Sequence, residues 1–123
     1  MRSIRVDDAP APIGPYSQAV ECRDLVFCSG QLGIVPGDGT LPSGTAAQTR
    51  QALLNLQAVL GGAGSSLSKA LKVTVYLTDL GDFSSVNQVY AEFFTEPFPA
   101  RTAVQVAALP KGAAVEIDVI ATR

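Results

Sequence analysis

The chain has 123 residues, of which 47% are hydrophobic and 16% charged, with a formal net charge of −2 and no histidine. Its length suits a single domain over residues 1–123, and its acidic balance without any run of Lys and Arg excludes the usual footprint of a nucleic-acid-binding protein. No apolar stretch is long enough to span a membrane and residues 1–10 lack the apolar core of an export signal, so we expect a cytoplasmic protein.

Hydrophobic periodicity divides the chain into strands and two helices. Pro10, Pro12 and Pro15 exclude a helix after the first strand, because proline cannot continue one. Gly61-Gly62 ends the first helix. In chain order the predicted elements are strands at Ser3–Val6, Ser17–Cys22 and Leu25–Ser29, a helix from Thr45 to Leu60, a strand at Leu71–Thr78, a helix through Val86–Phe93, and strands at Ala103–Val106 and Val115–Ala121.

Two local patterns predict details of these elements. Thr45 with Gln48 three residues later is typical of a capping box, so Thr45 is expected to cap the first helix. Cys22 and Cys28 lie in the hairpin, and if Cys22 pairs with Leu25 then Cys28 lies on the other face of the ribbon. We therefore expect two small buried thiols and no disulfide.

The order of elements predicts an α+β fold in which both helices pack on one face of a mixed sheet. The opposite face of that sheet then has no cover within the chain. The high apolar content indicates the same surplus of hydrophobic surface. We therefore expect the chain to associate with copies of itself.

The absence of histidine narrows the chemistry that the chain can perform. It excludes a Ser-His-Asp triad, a Cys-His pair and any metal site that uses histidine. Neither GxGxxG nor GxxxxGK[ST] occurs, so we expect neither a metal nor a nucleotide cofactor. Carboxylates, Arg, Lys, Tyr, hydroxyls and backbone groups remain.

The last predicted strand carries two carboxylates on one face. Glu116 and Asp118 alternate with Val115, Ile117 and Val119. The solvated outer face of an edge strand explains this pattern. Alternatively, one of these carboxylates lies in a semi-apolar cleft between subunits, where desolvation raises its pKa and lets it transfer protons. The pattern alone leaves both interpretations open.

None of the other candidate residues indicates a functional site on its own. Arg101 is either a surface residue or a two-pronged clamp for a carboxylate. Tyr16, Ser17 and Ser29 lie near strand ends, where hydroxyls either bind ligands or cap turns. Asn87, in the first turns of the second helix, is read as a surface or capping residue.

Taken together, these stretches resemble one family. The segments are Ala9–Val20, Ser29–Gly33, Pro99–Ala103, Val106–Gly112 and Glu116–Ala121. In this order they are similar to the motifs of the reactive-intermediate deaminase family, RidA or YjgF. The resemblance runs from about Ile4 to Thr122, which is essentially the whole chain.

This resemblance implies a chorismate-mutase-like subunit in a homotrimer, with clefts between neighbouring subunits. It implies hydrolysis of 2-iminopropanoate, 2-iminobutanoate and their enamine tautomers to 2-keto acids and ammonia, without a cofactor. Arg101 would bind the substrate carboxylate and Glu116 would activate water. By motif position the cleft would also contain Tyr16, Ser29, Gly30, Asn87 and Ala103.

One position departs from the family pattern, and two rival functions remain. The family often has Cys where this chain has Ala103, so a role for that thiol is not available here. The first rival is a non-catalytic trimer that binds small carboxylates or 2-keto acids through Arg101. Glu116 favours an enzyme over a binding protein. Its negative charge would repel a bound carboxylate, so its presence in the cleft is better explained by a catalytic role. The second rival is a nuclease or nucleic-acid-binding protein. The net charge of −2, the absence of a basic stripe and the absence of histidine argue against it.

Overall fold

Seven strands join one mixed sheet, and two helices pack together on one of its faces. The computed structural model describes residues 1–123. The elements are β1 (Arg2–Ile4), β2 (Ala19–Cys22), β3 (Leu25–Cys28), β4 (Gln31–Leu32), α1 (Thr45–Gly62), β5 (Ala70–Leu77), α2 (Phe83–Phe93), β6 (Ala100–Gln105) and β7 (Val115–Thr122). This confirms the predicted α+β architecture.

The last strand, β7, lies at the centre of the sheet. The order is β1-β2-β3-β7-β5-β6, with β4 also paired to β7. β5 and β6 are parallel, with α2 as their crossover, and every other pair is antiparallel. β3 and β4 follow one another along the same side of β7, so the sheet is interrupted at Ser29-Gly30. β6 is left as an edge strand.

The core lies between the helices and one face of the sheet. The alternation predicted for the last strand is confirmed, since the odd-numbered residues of β7 are fully buried. Val73, Val75 and Leu77 of β5 are fully buried beside them, whereas Leu71 is exposed next to a register shift. Leu53, Leu56, Leu60 and other α1 residues pack against them. Fully burying a side chain such as Leu contributes about 1.5–3 kcal/mol, so this layer holds α1 on the sheet.

The start of α1 differs from its prediction. Gly44 precedes the helix at φ 92°, and no side chain caps it. Thr45 Oγ1 instead donates to Asp82 Oδ2 at 2.8 Å, and Gln48 Oε1 accepts from the Ala114 backbone NH at 2.8 Å. The capping-box prediction was therefore wrong, because tertiary partners take both side chains.

The hairpin has the predicted register. Cys22 pairs with Leu25 and Ala19 pairs with Cys28, which puts the two free thiols on opposite faces. Cys28 is buried, and burial raises the pKa of its thiol to about 12. Cys22 is exposed, so the expectation that both cysteines are buried was wrong for Cys22, which lies at the hairpin turn.

The first strand is shorter at its carboxyl end than predicted. It ends at Ile4, because the Gln18 side chain binds both the NH and the carbonyl of Val6 in place of a neighbouring strand. Gln18 Nε2 also donates to the Pro10 carbonyl at 2.9 Å. The buried Gln18 thereby fixes the segment that leads to Tyr16.

The face of the sheet opposite the helices has no cover within the chain, as predicted. Phe27 pairs with Ile120, and Tyr76 lies between Val104 and Glu116 on this open face. Phe27 and Val104 are each 39% exposed. None of the helices is long and apolar enough to cross a membrane.

Candidate active site

Six of the predicted site residues fall into two separate cavities. The larger has a volume of about 830 Å³ and is lined by Tyr16, Ser29, Gly30 and Glu116, among others. The smaller, about 390 Å³, is lined by Asn87, Arg101 and four further residues. The structure thus brings together two groups of candidates but not the whole set.

Glu116 lies half-buried in the larger cavity, directly beside Gly30. A Cβ atom on Gly30 would lie 2.7 Å from Glu116 Oε2, so only glycine leaves this carboxylate its present position. Burial raises the pKa of Glu116, and the negative charge of Asp118 raises it further. Glu116 therefore holds its proton at a higher pH than an ordinary glutamate does.

Asp118 shares the open face with Glu116 and has a partner of its own. Tyr76 Oη donates a hydrogen bond to Asp118 Oδ2 at 3.1 Å. Burial makes the largest contribution to the raised pKa of Tyr76, and the Asp118 and Glu116 carboxylates add to it. The Tyr76 hydroxyl therefore keeps its proton and remains a hydrogen-bond donor. Asp118 is held in place while its charge acts on Glu116.

The interruption between β3 and β4 forms the floor of the larger cavity. Ser29 donates through its NH to the Gln18 carbonyl at 2.9 Å and through Oγ to the Ser17 carbonyl at 2.6 Å. The Ser29 hydroxyl therefore fixes the backbone around Gly30. Tyr16 is 53% exposed and stands at the cavity rim, where its Oη receives a long 3.4 Å hydrogen bond from the Ile13 NH.

Arg101 lies on the edge strand β6 and has no acidic partner. The ion pairs of the chain join Arg2 and Arg123 to Glu21, and Arg50 to Glu92. Arg101 Nη1 instead donates to the neutral amide oxygen of Asn87 at 2.7 Å. Its positive charge is oriented but not neutralised, which suits it to bind an anion.

Arg101 and Glu116 project from opposite faces of the sheet. Arg101 is paired with Val73, whose side chain faces the helices, and its guanidinium lies over rings of α2. Glu116 is paired with Tyr76 on the open face. Because paired residues share a face, a single chain cannot place both side chains on one small substrate.

Ala103 lines neither cavity. It lies two residues after Arg101, half-buried against the core and paired with Val75. A small apolar side chain fits that position, and nothing here requires a thiol. Ala103 thus shares the face of Arg101 without lining its cavity.

Sequence reasoning missed Lys111, Phe83 and Tyr90. Lys111 lines the larger cavity in a left-handed conformation, φ 59°, and belongs to the motif segment Val106–Gly112, in which it was given no role. Phe83 and Tyr90 place their rings against the Arg101 guanidinium, and neither was among the candidate residues. The signal was present, since Phe83, Asn87 and Tyr90 follow at the helical spacing i, i+4, i+7. No group of three His, Cys, Asp or Glu residues is placed to hold a metal ion.

Comparison with known proteins identifies the family. Residues 6–123 match the family model described as Endoribonuclease L-PSP. The chain is 52% identical over 121 residues to the 2-iminobutanoate/2-iminopropanoate deaminase of Bos taurus, an alignment that covers 98% of this chain and 88% of the bovine one. The chain belongs to the RidA family.

Solved RidA-family structures share the whole fold. RidA from the Antarctic bacterium Psychrobacter sp. PAMC 21119 is 47% identical, covers both chains completely and superposes with a TM-score of 0.97. TdcF from E. coli, solved with bound serine, is 41% identical with a TM-score of 0.95, over 100% of this chain and 99% of TdcF. The sequence-based assignment to the RidA family is confirmed.

Proposed function

We propose that this protein hydrolyses 2-iminobutanoate, 2-iminopropanoate and their enamine tautomers to 2-keto acids and ammonia. We further propose that it does so in the cytoplasm, as a homotrimer with its sites between subunits. Relatives bearing the name of this activity align over nearly the full chain. The observation that carries the proposal is the pair of complementary half-sites, an unneutralised arginine and a carboxylate of raised pKa.

The separation of those half-sites supports a closed assembly of subunits, such as the proposed trimer. Arg101 lies on an edge strand, whereas Glu116 lies on an open face that carries exposed Phe27 and Val104. Placing the edge of one subunit against the open face of the next would cover this apolar surface and bring the two half-sites together. Closed symmetry would then repeat the site at every interface.

Each half-site has a distinct task in the hydrolysis. The Arg101 guanidinium binds the substrate carboxylate, which orients the imine carbon. The Glu116 carboxylate takes a proton from water as the water oxygen attacks the carbon of the protonated imine, and a neutral carbinolamine forms. Glu116 then returns the proton to nitrogen. The C–N bond breaks as Glu116 takes the hydroxyl proton and the hydroxyl oxygen becomes the keto oxygen. Glu116 passes that proton to the departing ammonia, so a 2-keto acid and ammonium leave.

The environment of Glu116 fits both of its tasks. A general base that must later act as an acid works best with a pKa near the working pH. Burial and Asp118 both shift the pKa of Glu116 upward, in that direction. Imines also hydrolyse spontaneously, so positioning and one proton-transfer group are sufficient chemistry.

A non-catalytic binding trimer is the alternative. The same arginine would serve it, and the neighbour TdcF was solved with serine bound. Glu116 argues against this reading, because a carboxylate of raised pKa is not needed to hold an anion. Nucleic acid is a poor substrate for a chain of net charge −2 without a basic stripe, despite the name of the family model.

A coupled assay tests the proposal. Threonine dehydratase generates 2-iminobutanoate in situ, and release of 2-ketobutyrate is followed with this protein, without it, and with Glu116→Gln as matched control. We expect faster release with the parent alone, unchanged by EDTA and without added cofactor. If the parent binds 2-ketobutyrate by calorimetry but does not accelerate its release, the binding-protein alternative is correct.

A further inference from the structure

Arg101 is held by three side chains of α2, none of them charged. Its guanidinium carbon lies 5.1 Å from the centre of the Phe83 ring and 4.8 Å from that of Tyr90. Asn87, which accepts its hydrogen bond, lies between them on the same helix face. Both ring distances are within the range of cation–π attraction.

The hydroxyl of Tyr90 does not account for the presence of a tyrosine at this position. Tyr90 is 7% exposed, and its Oη has no hydrogen-bond partner. An unpartnered buried hydroxyl is unfavourable. The ring, by contrast, is fixed by stacking on Phe94, with centroids 4.3 Å apart and an interplanar angle of 27°. The useful part of Tyr90 is therefore its ring.

We propose that Phe83 and Tyr90 are positioning residues that orient Arg101 to grip a substrate carboxylate with both prongs. A free arginine on an edge strand would lose much rotational freedom when it binds substrate. A salt bridge would also order it, but a protein carboxylate would then compete with the substrate. Aromatic rings and one neutral amide restrain the side chain and leave its charge free.

The proposal rests on the proposed function, and Tyr90 variants test it in the coupled assay. Tyr90→Leu removes the ring and should raise KM, and the Kd for 2-ketobutyrate, about tenfold, with kcat changed less than about threefold. Tyr90→Phe restores the ring and should recover the affinity that Tyr90→Leu loses. Val89→Ala is the matched control: it removes buried volume from the same helix, but Val89 lines neither cavity, so the KM should equal that of the parent.

Each outcome decides the proposal. A parent-like KM and Kd in Tyr90→Leu, an equal loss in Tyr90→Phe, or an equal rise of KM in Val89→Ala would overturn it. Should Tyr90→Leu not fold, Phe83→Leu replaces it, because Phe83 is only partly buried and contacts the same guanidinium. If the parent itself shows no turnover, the deaminase function fails, and the keto-acid Kd values still report on the rings.

Discussion

Glu116 and Asp118 lie two residues apart on one face of β7, and their negative charges repel one another. Burial makes the larger contribution to the raised pKa of Glu116, and Asp118 adds to it. The carboxylate form of Glu116 is the one that activates water. Activity should therefore increase with pH as Glu116 loses its proton.

Neutralising Asp118 should move this dependence on pH. In Asp118→Asn the pKa of Glu116 falls, so the rising limb of kcat/KM should shift to lower pH. Asp118→Glu keeps the charge and should leave the limb close to its position in the parent. The measurement is kcat/KM from about pH 4 to 8 for the three proteins. A shift to higher pH in Asp118→Asn would contradict the proposed role of Glu116 as the base.

Substitutions of Glu116 and Arg101 should impair different steps, catalysis in the first case and substrate binding in the second. Glu116→Gln cannot exchange the proton and should lower kcat about a hundredfold while 2-ketobutyrate still binds. Arg101→Lys keeps the charge but loses the fork, and should lower kcat/KM about ten- to a hundredfold with weaker keto-acid binding. Turnover kinetics and calorimetry on both variants separate the roles. Dissociation of Glu116→Gln into unfolded chains would mean that Glu116 is structural.

The candidate site residues came from the family resemblance, because the residue patterns alone left the role of each one open. Tyr16, Ser29, Gly30 and Glu116 do meet in one cavity, as the motifs implied. Phe83 and Tyr90 were not found, because an aromatic residue at helical spacing has the same pattern whether it fills a core or supports a guanidinium. Only the position of β6 beside α2 distinguishes the two.

Gly30 and Gly33 belong to the same motif, but each allows the close approach of a different element. Gly30 leaves room for the movable carboxylate of Glu116, whereas Gly33 faces the backbone of α1. A Cβ on Gly33 would lie 2.7 Å from the Gln48 Cα atom. Gly33 therefore lets β4 approach the helix, and a side chain there would push the two elements apart.

Alanine at each glycine should separate activity from stability. Gly33→Ala should lower the free energy of unfolding by about 1–3 kcal/mol, since backbone cannot yield as a side chain does. Gly30→Ala should displace Glu116, lowering kcat more than tenfold with a smaller loss of stability. Denaturant titration and the coupled assay on both variants provide the comparison. A reversed pattern would place the critical contact at Gly30.

Elements long enough to show a regular hydrophobic pattern were predictable from the sequence, and shorter elements were not. The alternation in β5 and β7 and the leucines of α1 fix those elements, because a buried face repeats along each. β4 has two residues, Gln31 and Leu32, which is too few for any period to show. The helix cap was wrongly predicted because Asp82 is distant in sequence and became the partner of Thr45 only in the folded chain.

The proposed assembly would depend on surface that one chain leaves uncovered. Composition predicted self-association, and the open sheet face agrees with it. The sequence could not show that Arg101 and Glu116 lie on opposite faces, because they belong to different strands whose neighbours are set by the fold.

The oligomeric state should be measurable directly. Multi-angle light scattering at micromolar concentration should give about three times the chain mass of 12.8 kDa. Phe27→Glu would place a charge on the open face and should lower that mass, with loss of activity in proportion. A fully active species at 12.8 kDa would contradict the trimer and the shared site together.

The division of the site between two faces has a genetic consequence. If each site takes its arginine from one chain and its glutamate from the next, two inactive alleles should complement each other. Random co-assembly of equal amounts of Arg101→Ala and Glu116→Gln chains would leave about one site in four with both native residues. Co-expression, or unfolding and refolding the variants together, should therefore restore about a quarter of the parent activity, whereas mixing intact trimers of the two should restore none.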